Sequence, residues 1–203
     1  EQENAGRLLN DILALGLDAD ILFMDDNSPD GTGRILDELA ASHPGMCVLH
    51  RSGKLGIGSA HQDGIRYAYD HGYDKLLTMD CDFTHSPSDI PRLLESSAGY
   101  DVTLGSRFME GGGLQGWTRM RRFLTWLGHF LTRMCLNMSI DATGAFRVYD
   151  LRRISHDLFD VVTSRSYSFF FESLFVLSRN GRRIKEIPIL LPARTYGHSK
   201  MSL

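Results

Sequence analysis

Short apolar runs alternate with helix-period stretches through the first half of this chain, and two of the runs stop on paired acids. Residues 19–24 and 75–79 each read as a buried strand; the first ends in Asp25-Asp26 and the second in Asp80-Cys81-Asp82. Residues 46–49 and 102–104 read as two further strands. Between them Leu8, Leu9, Ile12 and Leu13 mark an apolar helical face that stops at Gly16, and Ile35, Leu36 and Leu39 mark a second helix. Residues 58–71 read as a third, and 87–96 as a fourth with proline near its start, where helices accept it. This β-α-β alternation predicts an α/β fold: a mostly parallel sheet flanked by helices on both faces. No repeat, linker or low-complexity tract interrupts the 203 residues, which predicts one domain over 1–203. A doubly wound sheet opens with a strand, whereas this chain opens at Glu1 on a helix, so a first strand ahead of Glu1 is expected.

Sheets of this kind bind ligands outside the carboxyl ends of their strands, which directs attention to the acids there. Carboxylates held close and out of water need a partner charge. For Asp80 and Asp82 the natural partner is a divalent cation bridging to a substrate diphosphate, since Mg2+ is usually held by one or two carboxylates plus phosphate oxygens. A bare D-x-D is short, and an exposed loop with two acids is the alternative. Asp25 and Asp26 are placed to hydrogen-bond a ribose or a base edge, whereas Asp30 and Thr32 are better read as the start of the helix behind them.

Composition narrows the classes. Hydrophobic residues make up 42% and charged residues 23%, as in ordinary globular domains. A net charge of −3 gives no global argument for nucleic acid or for an anionic membrane. Three cysteines without a C-x-x-C pair indicate neither a disulfide framework nor a zinc site, and favour a reducing compartment. Cys47 and Cys135 lie among apolar neighbours and are expected in the core. No run approaches the ~18 apolar residues of a membrane span, and no signal peptide is evident.

Against this acidic background the basic loops stand out. Residues 51–58 place Arg51, Lys54 and three glycines before a helix, like a loop that cradles phosphate, although the Walker A order is absent. Arg107 follows Gly105-Ser106, and Arg121 and Arg122 come soon after. Arg194 and Lys200 flank Gly197 near the end. Arginine grips phosphate through a planar fork of donors; solvated or helix-end charge is the alternative for each. His85 fits either a position behind a metal or a structural role. After Gly111-Gly112-Gly113 a long helix is predicted over 117–137. Phe123, Trp126, Leu127, Phe130, Leu131 and Met134 form one stripe on it, with Arg121, Arg122, Thr125, His129, Thr132 and Arg133 off the stripe. Either this helix packs on the sheet, or it lies on a membrane surface with its arginines at lipid headgroups.

These clusters, in this order, resemble the family 2 glycosyltransferases, and among them the dolichol-phosphate (polyprenol-phosphate) mannose synthases. The resemblance covers nearly the whole chain: DDNSPDGT (25–32), RSGKLGIGSA (51–60), MDCDFTHSP (79–87), GSRFMEGGG (105–113) with Trp117, DATGAFRVY (141–149), Phe171-Glu172, EIPI (186–189) and RTYGHSK (194–200). It implies a GT-A, Rossmann-like fold and an inverting transfer of mannose from GDP-mannose to dolichyl or polyprenyl phosphate at the cytoplasmic face of a membrane. Asp80 and Asp82, with Thr84, correspond to the shell of an Mg2+ or Mn2+ ion. Asp25 and Asp26 match nucleotide-contacting acids, and Lys54 lies in the loop expected near the donor. Arg107 and Arg121 match residues that serve the acceptor phosphate; Arg194 and Lys200 match residues at the donor. Glu1 looks like the last residue of the family's first nucleotide motif. Membrane segments after the catalytic domain, or membrane-anchored partner subunits, belong to the same picture. Cys81, Thr125 and His129 depart from the family's usual Ala, Ser and Asn. Two alternatives remain at this level: a polyprenol-phosphate glucosyltransferase using UDP-glucose, and a nucleotide-binding GT-A module without catalysis.

Overall fold

The computed structural model describes residues 2–192. In chain order the elements are α1 (Gln2–Leu13), β1 (Ile21–Asp25), α2 (Thr32–Ser42), β2 (Met46–His50), α3 (Ile57–Asp70), β3 (Lys75–Thr78), a 3₁₀ turn (Pro87–Asp89) leading into α4 (Ile90–Ser96), β4 (Val102–Ser106), β5 (Gly113–Gln115), α5 (Arg119–Leu136), β6 (Arg147–Asp150), α6 (Asp157–Asp160), α7 (Ser168–Arg179), β7 (Ile184–Pro188) and β8 (Leu190–Pro192). The helices and strands expected up to residue 137 are present within a few residues of their predicted bounds. Each stop has a visible cause. Gly16 takes a positive φ just after α1, and Thr118 accepts the Arg121 N–H to open α5, which Asn137 closes in the left-handed region.

Strands β1 and β2 pair in parallel, as do β5 and β8. Four strands form the central sheet in the order β3-β6-β4-β7. Here β4 and β7 are parallel, while β6 runs antiparallel to both neighbours, with Arg147 opposite Thr78 on β3 and Leu104 on β4. The sheet content is therefore mostly parallel, as predicted, with one reversed strand inserted. That reversal matters for the site. A parallel strand brings the residues after it to the carboxyl edge; β6 instead brings the residues before it, 137–146, to the edge where β3 and β4 end.

Alternation along β6 separates two layers of core. Phe146 and Val148 face a cluster with Ile90, Leu93, Ile187 and Ile189 under α4. Tyr149 faces the other side, with Val102, Leu104, Ile65, Phe169, Leu174 and Leu177 under α3 and α7. Each fully buried side chain of this size contributes about 1.5–3 kcal/mol. A third cluster joins Leu8, Leu9, Phe23, Leu36 and Met46.

Helix α5 joins these layers only at its end, where Leu136 packs against the α3–α7 cluster, so the expectation that it packs on the sheet holds in small part. Of its residues only Thr132 is buried, while Met120, Phe123, Trp126 and Met134 are 68%, 54%, 55% and 63% exposed. With α3 and α7 on one face of the central sheet and α4 on the other, the core is filled without it. No described helix is long and apolar enough to cross a membrane. The cysteine expectation fails for related reasons. Cys135 lies on this uncovered helix, and Cys47 sits on β2, paired on one side by β1, with its side chain turned away from buried Met46; both are exposed.

Candidate active site

The chain leaves β3 at Thr78 and folds at once into a tight loop through Asp80 and Asp82. Asp82 and Thr84 are both buried. Asp82 Oδ1 accepts from the Thr84 N–H (3.1 Å) and from the Thr84 hydroxyl (2.5 Å). Between them Phe83 is held at φ 59°, a left-handed setting that costs a non-glycine residue roughly 1–2 kcal/mol. The loop is hooked at its other end, where the Asp80 N–H donates to His85 Nδ1 at 3.0 Å. His85 is buried and stacked on Phe146, and desolvation pushes its pKa below the ordinary value. A neutral ring is what lets Nδ1 accept, so its 3.8 Å approach to Asp80 Oδ2 is not an ion pair. His85 thus stands behind the acids as a support. Met79, Cys81 and Phe83 pack against the cluster that contains Phe23, which sets this loop beside β1.

Two carboxylates and a hydroxyl are hard oxygen donors, the set that suits Mg2+ or Mn2+. Among the described residues no three His, Cys, Asp or Glu side chains gather as a metal cage.

The adjacent acids at the end of β1 have different settings. Asp25 is 5% exposed. It accepts from the Ser28 N–H (3.2 Å) and contacts His50 Nδ1 (3.3 Å). A Cβ on Gly33 would lie 2.7 Å from its carboxylate, so that glycine makes room for the acid. Burial raises the Asp25 pKa, but the Ser28 and His50 hydrogen bonds outweigh it and the net shift is downward. Asp26 is more open and is gripped by Arg51 at 2.5 Å. Arg51 is itself buried, with its Nε on Asp63 (2.9 Å) and a further bond to the Ser59 hydroxyl. Asp30 accepts from both the Thr32 N–H and hydroxyl (3.1 and 2.6 Å), which hold its pKa down to about 2; Thr32 does start α2, but the N-cap position is Gly31 and no side chain caps the helix.

Two of the three glycines of 51–58 have a packing reason of their own. A Cβ on Gly56 would meet the Arg165 carbonyl oxygen at 2.2 Å, and one on Gly58 would meet Arg165, Ser166 and Phe169 at 2.7 Å. They are glycine because the 165–169 segment crosses the start of α3 at contact distance. Lys54 is exposed in the loop ahead of them.

Arg107 follows β4, and its Nε and Nη2 make a bidentate pair with Asp141 at 2.8 and 2.9 Å. Asp141 is buried and also accepts from the Thr143 N–H and hydroxyl. Arg147 on β6 lies opposite both Thr78 on β3 and Leu104 on β4, so the D-x-D loop and Arg107 leave the sheet at one edge. Arg121 opens α5, with its guanidinium 3.9 Å from the centre of the Trp117 ring in a cation–π contact. Glu1, Arg194 and Lys200 lie outside the described residues.

Reading the sequence for chemistry gave no role to Asp141 or Asp63, and placed Arg51 in a basic loop without its pairing to Asp26 and Asp63. Asp141 precedes a strand, where parallel-sheet logic does not look. A register signal exists for Arg51: it is the first residue past β2, and its N–H donates to the Asp25 carbonyl (2.8 Å).

Three comparisons bear on what this arrangement is. Residues 1–161 match the profile described as "Glycosyl transferase family 2". An undecaprenyl-phosphate mannosyltransferase of Micrococcus luteus is 39% identical over 186 residues, covering 91% of this chain and 76% of the relative. A polyprenol monophosphomannose synthase of Mycolicibacterium smegmatis is 36% identical over 185 residues, covering 90% and 70%. A nucleotide-diphospho-sugar transferase from Desulfovibrio desulfuricans G20, of known structure, aligns over 92% of this chain and 67% of its own with a TM-score of 0.53; at 16% identity the likeness is one of fold.

Proposed function

The chain belongs to glycosyl transferase family 2, and on that premise we propose that residues 1–203 act as one catalytic domain moving mannose from GDP-mannose to dolichyl or polyprenyl phosphate, with inversion. One observation carries this reading beyond the family. The loops that carry the D-x-D and Arg107 leave the same edge of the central sheet, since Arg147 on β6 lies opposite both Thr78 on β3 and Leu104 on β4, in a chain whose relatives are named as an undecaprenyl-phosphate mannosyltransferase and a polyprenol monophosphomannose synthase.

Asp80 and Asp82, with Thr84, would hold Mg2+ or Mn2+. Bound there, the ion offsets charge building on the leaving diphosphate. Asp26, fixed by Arg51, meets the nucleotide from the end of β1, while Asp25 shapes the loop beneath it; Lys54 approaches the donor from the loop after β2. Glu1, Arg194 and Lys200 are further donor contacts. Arg107, aimed by Asp141, and Arg121, laid on Trp117, place the acceptor phosphate. A phosphate oxygen of the lipid attacks the anomeric carbon, the bond from that carbon to the diphosphate breaks, and GDP departs with the electron pair. No base is required, because a phosphate monoester is largely dianionic at neutral pH, with a second pKa of about 6. In-line attack gives the β-mannosyl phosphate.

The acceptor is a lipid, so the site works at a membrane surface. Helix α5 supplies the contact: most of its apolar residues are exposed, Leu127 and Leu136 being half-buried, and Arg119, Arg121, Arg122 and Arg133 lie among them with no acid between Arg119 and Leu136. Such a helix lies in the headgroup plane.

The test is transfer of radiolabelled mannose from GDP-mannose to a polyprenyl phosphate with Mg2+ or Mn2+, run beside Asp82→Ala and beside UDP-glucose as donor. Metal-dependent formation of a β-linked product, lost in the variant, is expected. Transfer from UDP-glucose alone, or an α-linked product, overturns the reading.

A further inference from the structure

Arg147 is the largest fully buried side chain, with 0% exposure, and no carboxylate among the described residues pairs with it. Every donor direction of its guanidinium ends on a neutral oxygen. Nε donates to the Gly144 carbonyl at 2.8 Å, and Nη2 to the carbonyls of Ala142 and Phe170 at 3.2 and 3.0 Å. Nη1 donates to the Tyr149 and Ser173 hydroxyls at 3.2 and 3.1 Å. Carbonyls and hydroxyls satisfy the hydrogen bonds but do not cancel the charge, and a buried unpaired cation is expensive to keep. An apolar side chain would fill the same volume at lower cost, so the five-donor fork itself must serve a purpose.

The places it reaches indicate the purpose. Two of its acceptors, Ala142 and Gly144, belong to the loop ahead of β6; two others, Phe170 and Ser173, belong to α7 in the core. The guanidinium is therefore a pin between a packed helix and that loop. The loop carries Asp141, whose carboxylate grips Arg107 through two bonds. The loop's other ties are the Thr78 hydroxyl on the Ala145 carbonyl (2.6 Å), the Asp141 N–H on Glu186 (2.8 Å), the Arg107 N–H on Asp141 Oδ2 (3.3 Å), and the Thr143 N–H and hydroxyl on Asp141 Oδ1. None of these joins residues 142–144 to α7, as the Arg147 fork does.

We infer that Arg147 is a positioning residue for the acceptor phosphate: it pins the 141–145 loop to α7, and through Asp141 fixes where the Arg107 guanidinium points. This rests on the assignment of Arg107 to the acceptor. A lysine in its place keeps the charge but donates from a single point, so it cannot span both loop carbonyls and α7.

The experiment is steady-state kinetics of mannosyl transfer for Arg147→Lys, Arg107→Ala and the double variant, with each substrate varied in turn. For Arg147→Lys the acceptor KM is expected to rise about tenfold while the GDP-mannose KM stays within about twofold. The double variant is expected to be no worse than Arg107→Ala, because the pin has nothing left to aim. An equal rise in both KM values, or losses that multiply in the double variant, overturns the inference and leaves Arg147 a core residue only. Arg107→Ala with an unchanged acceptor KM instead removes the assignment of Arg107, and the inference with it. Should Arg147→Lys fail to fold, Ser173→Ala, which removes the Nη1 acceptor on α7 and keeps the fork, takes its place with the same split of KM values expected.

Discussion

Asp82 spends its Oδ1 on the Thr84 N–H and hydroxyl, and that geometry asks only for an acceptor, whereas a cation asks for charge. Asp82→Asn separates the two demands. The amide oxygen can still accept from Thr84, so stability is expected to change by about 1 kcal/mol or less, while transfer falls at least about 100-fold. Urea midpoints beside kcat/KM decide it; a large loss of stability would mean the loop, not the charge, had been removed. The His50 cluster makes a pH-dependent prediction. Hydrogen bonds donated by the ring to Asp37 and then to Asp25 raise the His50 pKa, so its contribution to stability is full below the unfolded value of 6.5 and fades as pH rises through the folded one. Asp25 has a net lowered pKa, so its contribution is full above 3.8 and is lost only at lower pH. The stability gap between the wild type and His50→Gln is thus expected to be largest around pH 5–6 and to shrink towards about pH 9. Thermal melts across that range test it, and a gap independent of pH sinks it.

At the scale of elements, the start of α3 and the whole of α5 obey opposite rules. Gly58 sits where a Cβ would press on Arg165, Ser166 and Phe169 at once, two of those contacts being backbone that cannot swing away. Gly58→Ala is expected to destabilise the fold by about 1–3 kcal/mol, against the gain a glycine-to-alanine change usually brings inside a helix. Equilibrium unfolding in urea reads the sign. Helix α5 tolerates what a core helix would not. Phe123 and Phe130 are 54% and 45% exposed, so Phe123→Asp with Phe130→Asp is expected to leave stability within about 0.5 kcal/mol per site. The same change is expected to abolish co-sedimentation with anionic phospholipid vesicles. Unaltered sedimentation would show that α5 is not the lipid contact.

At the scale of the molecule, the proposed donor site gathers residues from the ends of β1, β2 and β3, so nucleotide and metal should stabilise the fold together. GDP with Mg2+ or Mn2+ at about 100 times its Kd is expected to add about 2.7 kcal/mol, with a smaller effect for UDP and for GDP in EDTA. Equal shifts from GDP and UDP would remove the guanine preference. No shift with any nucleotide would point to a chain that does not bind the donor.

Amino-acid order alone determined the α/β class, the strands that end in acids, the D-x-D and its threonine, and the family. All of these rest on contiguous residues: apolar runs, turn chemistry, and motifs whose members are a few positions apart. Only the tertiary structure decided that β6 runs backwards between β3 and β4, because a strand reading Arg-Val-Tyr-Asp, with a buried cation at one end, carries no apolar run to announce it. That reversal brings Asp141 to Arg107 across 34 residues of sequence. Packing likewise decided that Gly56 and Gly58 make way for a crossing chain, that Asp25 turns inward while Asp26 stays open, and that the apolar stripe of α5 remains uncovered. Periodicity shows that a helix has an apolar face, but which face the core has room to cover is settled only when the other elements have taken their places.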